Sequence, residues 1–315
     1  MTAQVGLGTR GSEGDSQPES ESCVSRSGKV LLEVENVVTG FGSNTVLHGP
    51  SLSVREGETV GVFGLNGAGK SVLMKVIAGV LPLWSGRLAF DGADITRVPA
   101  EERVARGMGH VPQGRQVFPG LTVEENLRLG AYTLRRHDKG RYPAALAAVY
   151  ERFPVLAQKR NQLGGSLSGG QQASLAVARA LINQPRLLLV DEASAGLAPV
   201  AVRELFHTLR QVVATGVTIL MVEQNVSFGL QLVEKVNILQ MGRIAYSGDV
   251  NTLDQEALVA HLGIGRMLGK GVAGTLAGRN VPPGAPESGK GGKAPKRAAP
   301  GSRGGANKRK GAAQG

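Results

Sequence analysis

The 315-residue sequence contains only one cysteine, Cys23, and only 4% aromatic residues. A single thiol excludes an intrachain disulfide framework and any zinc site built from several cysteines. The sequence also lacks a stretch of about 18 uninterrupted apolar residues, the length that a membrane-spanning helix needs. Its N-terminus is acidic, which excludes the charged-then-apolar layout of a secretory signal peptide. We therefore expect a soluble, unsecreted protein of a reducing compartment such as the cytosol.

The formal net charge of +11 is concentrated at the C-terminal end of the chain. Residues 266–315 contain eleven Lys and Arg residues and one acid, Glu287, which gives +10 and leaves +1 for residues 1–265. This tail is rich in Gly, Ala and Pro, and it has too few large apolar residues to offset the entropy of ordering. It is either a solubilising appendage or a segment that contacts anionic lipid or RNA. We predict a disordered leader at 1–28, one folded domain at 29–264 and a disordered basic tail at 265–315.

Between the two tails, predicted strands alternate with predicted helices. The predicted strands are 31–38, 59–64, 186–190, 218–222 and 236–241. The predicted helices are 71–80, 123–134, 143–153, 169–181 and 199–214. Several of the strands are continuous apolar runs, which are typical of strands buried on both faces. The alternation predicts an α/β fold with a largely parallel sheet.

A glycine-rich segment, GLNGAGKS, joins the second of these strands to the following helix. It matches the pattern G-x-x-x-x-G-K-[ST] of a phosphate-binding loop, in the strand–loop–helix context that the pattern requires. Its glycines allow successive N–H groups to face phosphate oxygens, beside the positive end of the helix. Lys70 would contact the β- and γ-phosphates, and the Ser71 hydroxyl would ligate magnesium. The residues predicted to bind nucleotide here are Gly64, Leu65, Asn66, Gly67, Ala68, Gly69, Lys70 and Ser71.

Two acidic residues follow the apolar strand in the segment RLLLVDEAS. The strand delivers Asp191 and Glu192 to its C-terminal end, the edge at which open α/β sheets bind ligands. Asp191 would hold magnesium, directly or through water, and Glu192 would polarise an attacking water. A helix cap is the alternative interpretation of such a pair, and the phosphate-binding loop upstream favours the catalytic one.

The segment SLSGGQQ opens the helix predicted at 169–181. Ser168 is a natural N-cap with Gln171 three residues later, but a capping box does not need Gly169 and Gly170. Together with the acidic strand end about 20 residues later, this segment resembles the signature motif of the ATP-binding cassette (ABC) family. The resemblance implies that Ser168, Gly169 and Gly170 contact the γ-phosphate held by the phosphate-binding loop of a second subunit.

Other features of the ABC family match between residues 40 and 263. The resemblance implies a P-loop NTPase cassette with a RecA-like core sheet, an antiparallel β subdomain and an α-helical subdomain at about 97–183. Phe41 would stack on adenine, or else is an ordinary core aromatic. Gln113 matches the glutamine that ligates magnesium and senses the membrane subunit, with a polar loop residue as the alternative. Phe118, Leu121 and Val123 would lie near the surface that receives the membrane subunit, or else belong to the core.

Three features narrow the resemblance within the family. Ala198 stands where many cassettes carry an aspartate, and Gln224, in the segment VEQN, stands where most carry a histidine. The segments GRQVFPGLTVEENL (114–127) and AHLG (260–263) are similar to those of ATPases from branched-chain amino acid importers and their urea and short-amide relatives. The resemblance implies that Gln224 contacts the γ-phosphate. The neighbouring Asn225 is expected to cap the helix that follows, because Asn is a favoured N-cap residue.

The resemblance implies an ATPase whose cofactors are ATP and Mg²⁺. Its catalytic residues would be Glu192, Lys70 and Gln224, and its magnesium ligands would be Ser71, Gln113 and Asp191. Its partners would be a second ABC ATPase subunit, two transmembrane permease subunits and, indirectly, a solute-binding protein. The chain would then be a peripheral protein on the cytoplasmic face of the cell membrane.

Two further interpretations lie outside transport. A non-transport ABC ATPase acting on nucleic acid or ribosomes would suit a basic tail, but the chain has one cassette and no long coiled coil before the signature. A nucleotide-gated scaffold without turnover is disfavoured by Glu192. We therefore expect the ATP-hydrolysing subunit of an importer and no nucleic-acid partner. The solute would be a branched-chain amino acid or, alternatively, urea or a short-chain amide.

Overall fold

The computed structural model describes residues 28–114 and 116–253. The leader predicted at 1–28, apart from Gly28, lies outside these residues, as do the segment 260–263 and the basic tail predicted at 265–315. Within the described ranges, no helix combines the length and the apolar character that crossing a membrane requires.

A six-stranded sheet forms the centre of the fold. Its strands are β4 (Thr59–Phe63), β7 (Met108–Val111), β8 (Leu187–Asp191), β9 (Thr218–Glu223), β10 (Lys235–Gln240) and β11 (Arg243–Asp249). They lie in the order β11-β10-β4-β9-β8-β7, parallel from β10 to β7, with β11 antiparallel to β10. Every residue of β4, β8 and β9 is buried, which explains their continuous apolar sequences. The predicted α/β fold with a largely parallel sheet is confirmed.

A second, antiparallel sheet is built mostly from the N-terminal part of the described chain. Its strands are β1 (Val30–Phe41), β2 (Asn44–His48), β3 (Leu52–Arg55), β5 (Ser85–Phe90) and β6 (Ala93–Asp94). The long strand β1 pairs with β2, β3 and β5. This sheet is the antiparallel β subdomain that the family resemblance implies.

Helices cover the central sheet and fill the middle of the chain. They are α1 (Lys70–Ile77), α2 (Ala100–Ala105), α3 (Val123–Gly130), α4 (Tyr132–His137), α5 (Tyr142–Arg152), α6 (Pro154–Gln158), α7 (Gly169–Leu181), α8 (Pro199–Val213) and α9 (Val226–Gly229). The residues that the structure describes form two buried hydrophobic clusters. One joins the central sheet to α3 and α5–α8, and the other joins it to α1 and the antiparallel sheet.

The helix predicted at 123–134 is wrong in one respect, because the structure divides it into α3 and α4 at Ala131. The Asn183 side chain donates from Nδ2 to the Gly130 carbonyl oxygen at 2.6 Å, so a side chain from a distant segment occupies a carbonyl at the end of α3. Glycine is also among the weakest helix formers, so Gly130 itself favours an interruption of the helix at this point.

The segment 97–183, predicted as a helical subdomain, contains more than helices. It includes β7, which pairs with β8 at the edge of the central sheet, so the helix-rich part follows Val111. Val123 is fully buried, which makes it a core residue, whereas Phe118 is 47% exposed. The Asn126 side chain anchors the loop before α3, since it accepts a hydrogen bond from Phe118 N and donates to the carbonyl oxygens of Phe118 and Leu121.

Exposed ion pairs connect segments of the antiparallel sheet to the segment before β8 of the central sheet. Asp91, in the turn between β5 and β6, pairs with Lys29 at 2.5 Å and with Arg186, directly before β8, at 2.6 Å. Arg186 also pairs with Glu56 at 2.9 Å. Hydrogen bonds from Arg186 and Lys29 lower the pKa of Asp91 from 3.8 to about 2.

Candidate functional site

Three neighbouring strands end together at one edge of the central sheet. Phe63 of β4 lies opposite Glu223 of β9, and Val222 of β9 lies opposite Asp191 of β8. Because the three strands are parallel, the segments that follow them meet at this edge. The structure therefore brings together the glycine-rich loop, the acidic pair and Gln224, which are far apart in the sequence.

The glycine-rich loop needs glycine at defined positions. Gly69 has φ of 103°, in the left-handed region that favours glycine, and a Cβ there would lie 2.8 Å from Leu47 Cδ2. A Cβ on Gly64 would overlap the Leu239 carbonyl oxygen. Helix α1 then begins at Lys70, directly after Gly69, so its unpaired N–H groups face the loop.

A chain of polar contacts runs through Lys70, Glu192 and Gln113. Lys70 Nζ lies 3.1 Å from Glu192 Oε1 and donates hydrogen bonds to the carbonyl oxygens of Gly64 at 3.0 Å and Leu65 at 3.1 Å. Glu192 Oε2 accepts a hydrogen bond from Gln113 Nε2 at 2.9 Å. Lys70 and Glu192 are both buried, so their charges are paired in a region from which water is largely excluded.

The Ser71 hydroxyl and the Asp191 carboxylate form a second polar pair. Ser71 Oγ donates to Asp191 Oδ1 at 2.8 Å. Burial raises the pKa of Asp191, and the hydrogen bond from Ser71 opposes that effect. Hydroxyl and carboxylate oxygens are hard donors of the kind that Mg²⁺ prefers, so this pair fits a magnesium site.

A cavity of about 540 Å³ lies over this edge of the sheet. The predicted site residues that line it are Phe41, Asn66, Gly67, Gly69, Lys70, Ser71, Gln113, Glu192 and Gln224. Phe41 is 54% exposed, so the alternative that it is a core aromatic is wrong. Asp191 does not line the cavity but reaches it through Ser71, and Gly64, Leu65 and Ala68 complete the loop without lining it.

The signature segment lies apart from this cavity. Ser168, Gly169 and Gly170 are not among its lining residues. The predicted capping box is confirmed, because Ser168 Oγ accepts from Gln171 N at 3.3 Å and Gln171 Oε1 accepts from Ser168 N at 3.2 Å. Within one chain these residues therefore start α7 and do not contribute to the cavity around Lys70.

Some residues at the site were not predicted from the sequence. Val46, Val72 and Ala195 line the cavity, and their small apolar side chains carry no signal of chemistry. Glu223 is buried beside the acidic pair, and only its position at the end of an apolar strand marks it. The predicted cap at Asn225 is confirmed, since its side chain accepts a hydrogen bond from Phe228 N at 3.4 Å.

The sheet, the glycine-rich loop and the paired acids define a phosphate-loop nucleotide-binding protein of the α/β class. Residues 47–195 match the family model described as "ABC transporter". Two relatives support the match over a longer range, and the chain spans more than nine-tenths of each. It is 39% identical over 214 residues to the high-affinity branched-chain amino acid transport ATP-binding protein BraG of Pseudomonas aeruginosa, covering 68% of this chain and 91% of that protein. It is 35% identical over 225 residues to the probable branched-chain amino acid transport ATP-binding protein LivF of Archaeoglobus fulgidus, covering 71% and 94%. The chain belongs to the ABC transporter family, as an ATP-binding subunit.

Solved structures agree with this assignment. A nucleotide-free ATP-binding cassette from an ABC transporter superposes with a TM-score of 0.65 at 28% identity, covering 75% of this chain and 96% of the other. An ATP-binding cassette of an ABC transporter in its ADP conformation gives 0.61 at 29% identity, covering 70% and 91%. The cassette fold expected from the sequence is confirmed. Membership of the ABC transporter family identifies the chain as an ATPase whose activity is coupled to transport.

Proposed function

We propose that this chain supplies the energy for an importer of branched-chain amino acids by hydrolysing ATP at the cavity over the central sheet. The observation that carries the proposal is the contact chain from Lys70 through Glu192 to Gln113, with the Ser71–Asp191 pair beside it. It joins a cation for the phosphates, a carboxylate for water and oxygen donors for a metal ion. The relatives named for branched-chain amino acid transport support the choice of solute.

In the proposed reaction, the loop N–H groups and Lys70 bind the β- and γ-phosphates of ATP. Phe41, exposed at the mouth of the cavity, stacks on the adenine ring. Glu192 orients the attacking water in line with the γ-phosphate. Gln224 donates an amide N–H to the γ-phosphate and accepts a hydrogen bond from water, but it cannot carry a proton as an imidazole does.

Ser71, Asp191 and Gln113 are the proposed magnesium ligands. Their oxygen atoms match the preference of this ion, and Ser71 and Gln113 line the cavity. When bound, Mg²⁺ would neutralise charge on the β- and γ-phosphate oxygens.

The position of the signature segment supports a two-chain arrangement. Since Ser168, Gly169 and Gly170 do not line their own chain's cavity, we propose that they complete the site of a second ABC subunit. Two permease subunits would receive the resulting movement near Phe118, and a solute-binding protein would act indirectly. The chain would thus be peripheral, at the cytoplasmic face of the membrane.

Uptake by cells tests the solute. A strain that lacks the gene is complemented with the wild-type chain or with Glu192→Gln, and uptake of labelled leucine and labelled urea is measured. The proposal expects leucine uptake to be restored by the wild-type chain alone. Restored urea uptake with no change in leucine uptake would show that the solute is urea and not a branched-chain amino acid. No change in the uptake of either solute would refute the importer assignment.

A further inference from the structure

Glu192 has an unusual backbone conformation for the residue proposed to orient water. Its φ is 41°, in the left-handed region that residues other than glycine rarely adopt. Such a conformation persists only where surrounding contacts enforce it, and it is enriched at functional sites. The backbone contacts on both sides of Glu192 therefore set the direction of its carboxylate together with the direct contacts from Lys70 and Gln113.

Two consecutive residues of β9 supply the contacts on both sides of Glu192. Residues 192–195 form a turn that we call the Glu192 turn. At its start, Glu192 N donates to the Val222 carbonyl oxygen at 3.0 Å. Near its end, Ser194 is bound by Glu223, whose Oε1 accepts from Ser194 N at 3.2 Å and whose Oε2 accepts from Ser194 Oγ at 2.7 Å. The turn closes with a hydrogen bond from Ala195 N to the Glu192 carbonyl oxygen at 3.0 Å.

The surroundings of Glu223 fix its carboxylate in this position. Glu223 is 1% exposed and is the last residue of a wholly buried strand. On the neighbouring strand it lies opposite Phe63, the last residue before the glycine-rich loop. The next residue, Gln224, lines the nucleotide cavity. One strand end therefore presents Gln224 to the cavity and fastens the turn that carries Glu192.

We propose that Glu223 is a positioning residue for ATP hydrolysis, which holds the Glu192 turn so that the Glu192 carboxylate and the Gln224 side chain keep a fixed separation across the γ-phosphate. Glu223 itself does not touch substrate. This inference rests on the proposed role of Glu192 in orienting water.

The test compares Glu223→Ala, Glu223→Gln and Thr218→Ala in the full-length chain, by steady-state phosphate release at varied ATP. Thr218 is the matched control, because it is a buried polar residue at the opposite end of β9 whose Oγ1 accepts one hydrogen bond, from Gly57 N at 2.9 Å. Folded fraction is measured for each variant by urea unfolding, and kcat is expressed per folded molecule.

Glu223→Ala is expected to lower kcat by at least about tenfold, because a shift of about 1 Å in a catalytic group can reduce the rate by about 100-fold. The KM for ATP should stay within about twofold, since the glycine-rich loop and Lys70 keep their own contacts. Glu223→Gln should retain kcat within about threefold, because its amide oxygen can accept from Ser194 N and its NH₂ can donate to Ser194 Oγ. Thr218→Ala should lose stability without losing kcat per folded molecule.

A double-mutant cycle with Ser194→Ala completes the test. If Ser194 and Glu223 act through one contact, the double variant loses clearly less kcat than the product of the two single losses. Multiplicative losses, or a kcat for Glu223→Ala within about twofold of wild type, would overturn the inference.

Glu192→Gln serves as the separate control. If it hydrolyses ATP as fast as wild type, the proposed role of Glu192 has failed. If it is inactive while Glu223→Ala is fully active, only the positioning role of Glu223 has failed.

Discussion

The turn between β10 and β11 is hydrogen-bonded to the glycine-rich loop. The variant Gly242→Ala tests how much this contact contributes to stability and to ATP binding. Gly242 N donates to the Ala68 carbonyl oxygen at 2.9 Å, and the Gly242 carbonyl oxygen accepts from His48 N at 2.9 Å. Gly242 has φ of 72°, and a Cβ there would overlap the Val46 carbonyl oxygen. Because that oxygen belongs to strand β2, the turn has to move away from β2, and we expect this movement to break both hydrogen bonds of Gly242.

The turn between β5 and β6 offers a matched control. Gly92 has φ of 80°, but a Cβ there meets nothing within 4 Å. Alanine in the left-handed region costs about 1–2 kcal/mol at either position. Loss of two hydrogen bonds adds about 0.5–1.5 kcal/mol each at Gly242 alone. We expect Gly92→Ala to lower the free energy of unfolding by about 1–2 kcal/mol and Gly242→Ala by about 2–5 kcal/mol.

One of the two broken hydrogen bonds holds the glycine-rich loop, so ATP binding should weaken as well. A loss of about 0.5–1.5 kcal/mol corresponds to an ATP Kd raised about 2- to 13-fold for Gly242→Ala, with no change for Gly92→Ala. Urea unfolding gives the stabilities and calorimetric titration gives the affinities. Equal destabilisation by the two variants, together with an unchanged ATP affinity, would refute this account of the turn.

Three further predictions concern the core, the edge of the sheets and the site. Leu127→Ala, in a fully buried position, should lower the free energy of unfolding by about 2–5 kcal/mol, whereas Phe118→Ala, at an exposed position, should cost well under half as much in the same urea titration. Because the folded pKa of Asp91 is depressed to about 2, its ion pairs stabilise the fold above about pH 4 and lose that effect as pH falls toward 2. The difference in Tm between wild type and Asp91→Asn should therefore be constant from pH 7 to 5 and should decrease toward zero as the pH falls below 4. Gln224→Ala should slow ATP hydrolysis less than Glu192→Gln does, and an equal or greater loss in phosphate release would contradict this ranking.

The sequence predicted the parts of the site that depend on local pattern. The glycine-rich loop is recognisable because strand, loop and helix are contiguous, and the acidic pair because it ends a buried strand. Parallel strands then require both segments to meet at one edge of the sheet. The placement of Lys70 beside Glu192 follows from these two facts.

Contacts between segments that are distant in the sequence leave no local pattern from which they could be predicted. At the break after Gly130, the carbonyl oxygen is bound by Asn183, which lies 53 residues further along the chain. Val123 reads equally well as surface or core from its apolar character, and only the packing of α3 on α7 decides that it is buried. Glu223 resembles the end of any strand until Ser194 is placed against it.

Phosphate release by the full-length chain tests the central claim most directly, namely that ATP is hydrolysed in this cavity with Glu192 orienting the water. Wild type and Glu192→Gln are compared at saturating ATP and magnesium, and ATP binding is measured for both. The account predicts sustained phosphate release by wild type and a loss of about 100-fold or more in Glu192→Gln, with ATP affinity retained. Equal rates of phosphate release from the two proteins would contradict it.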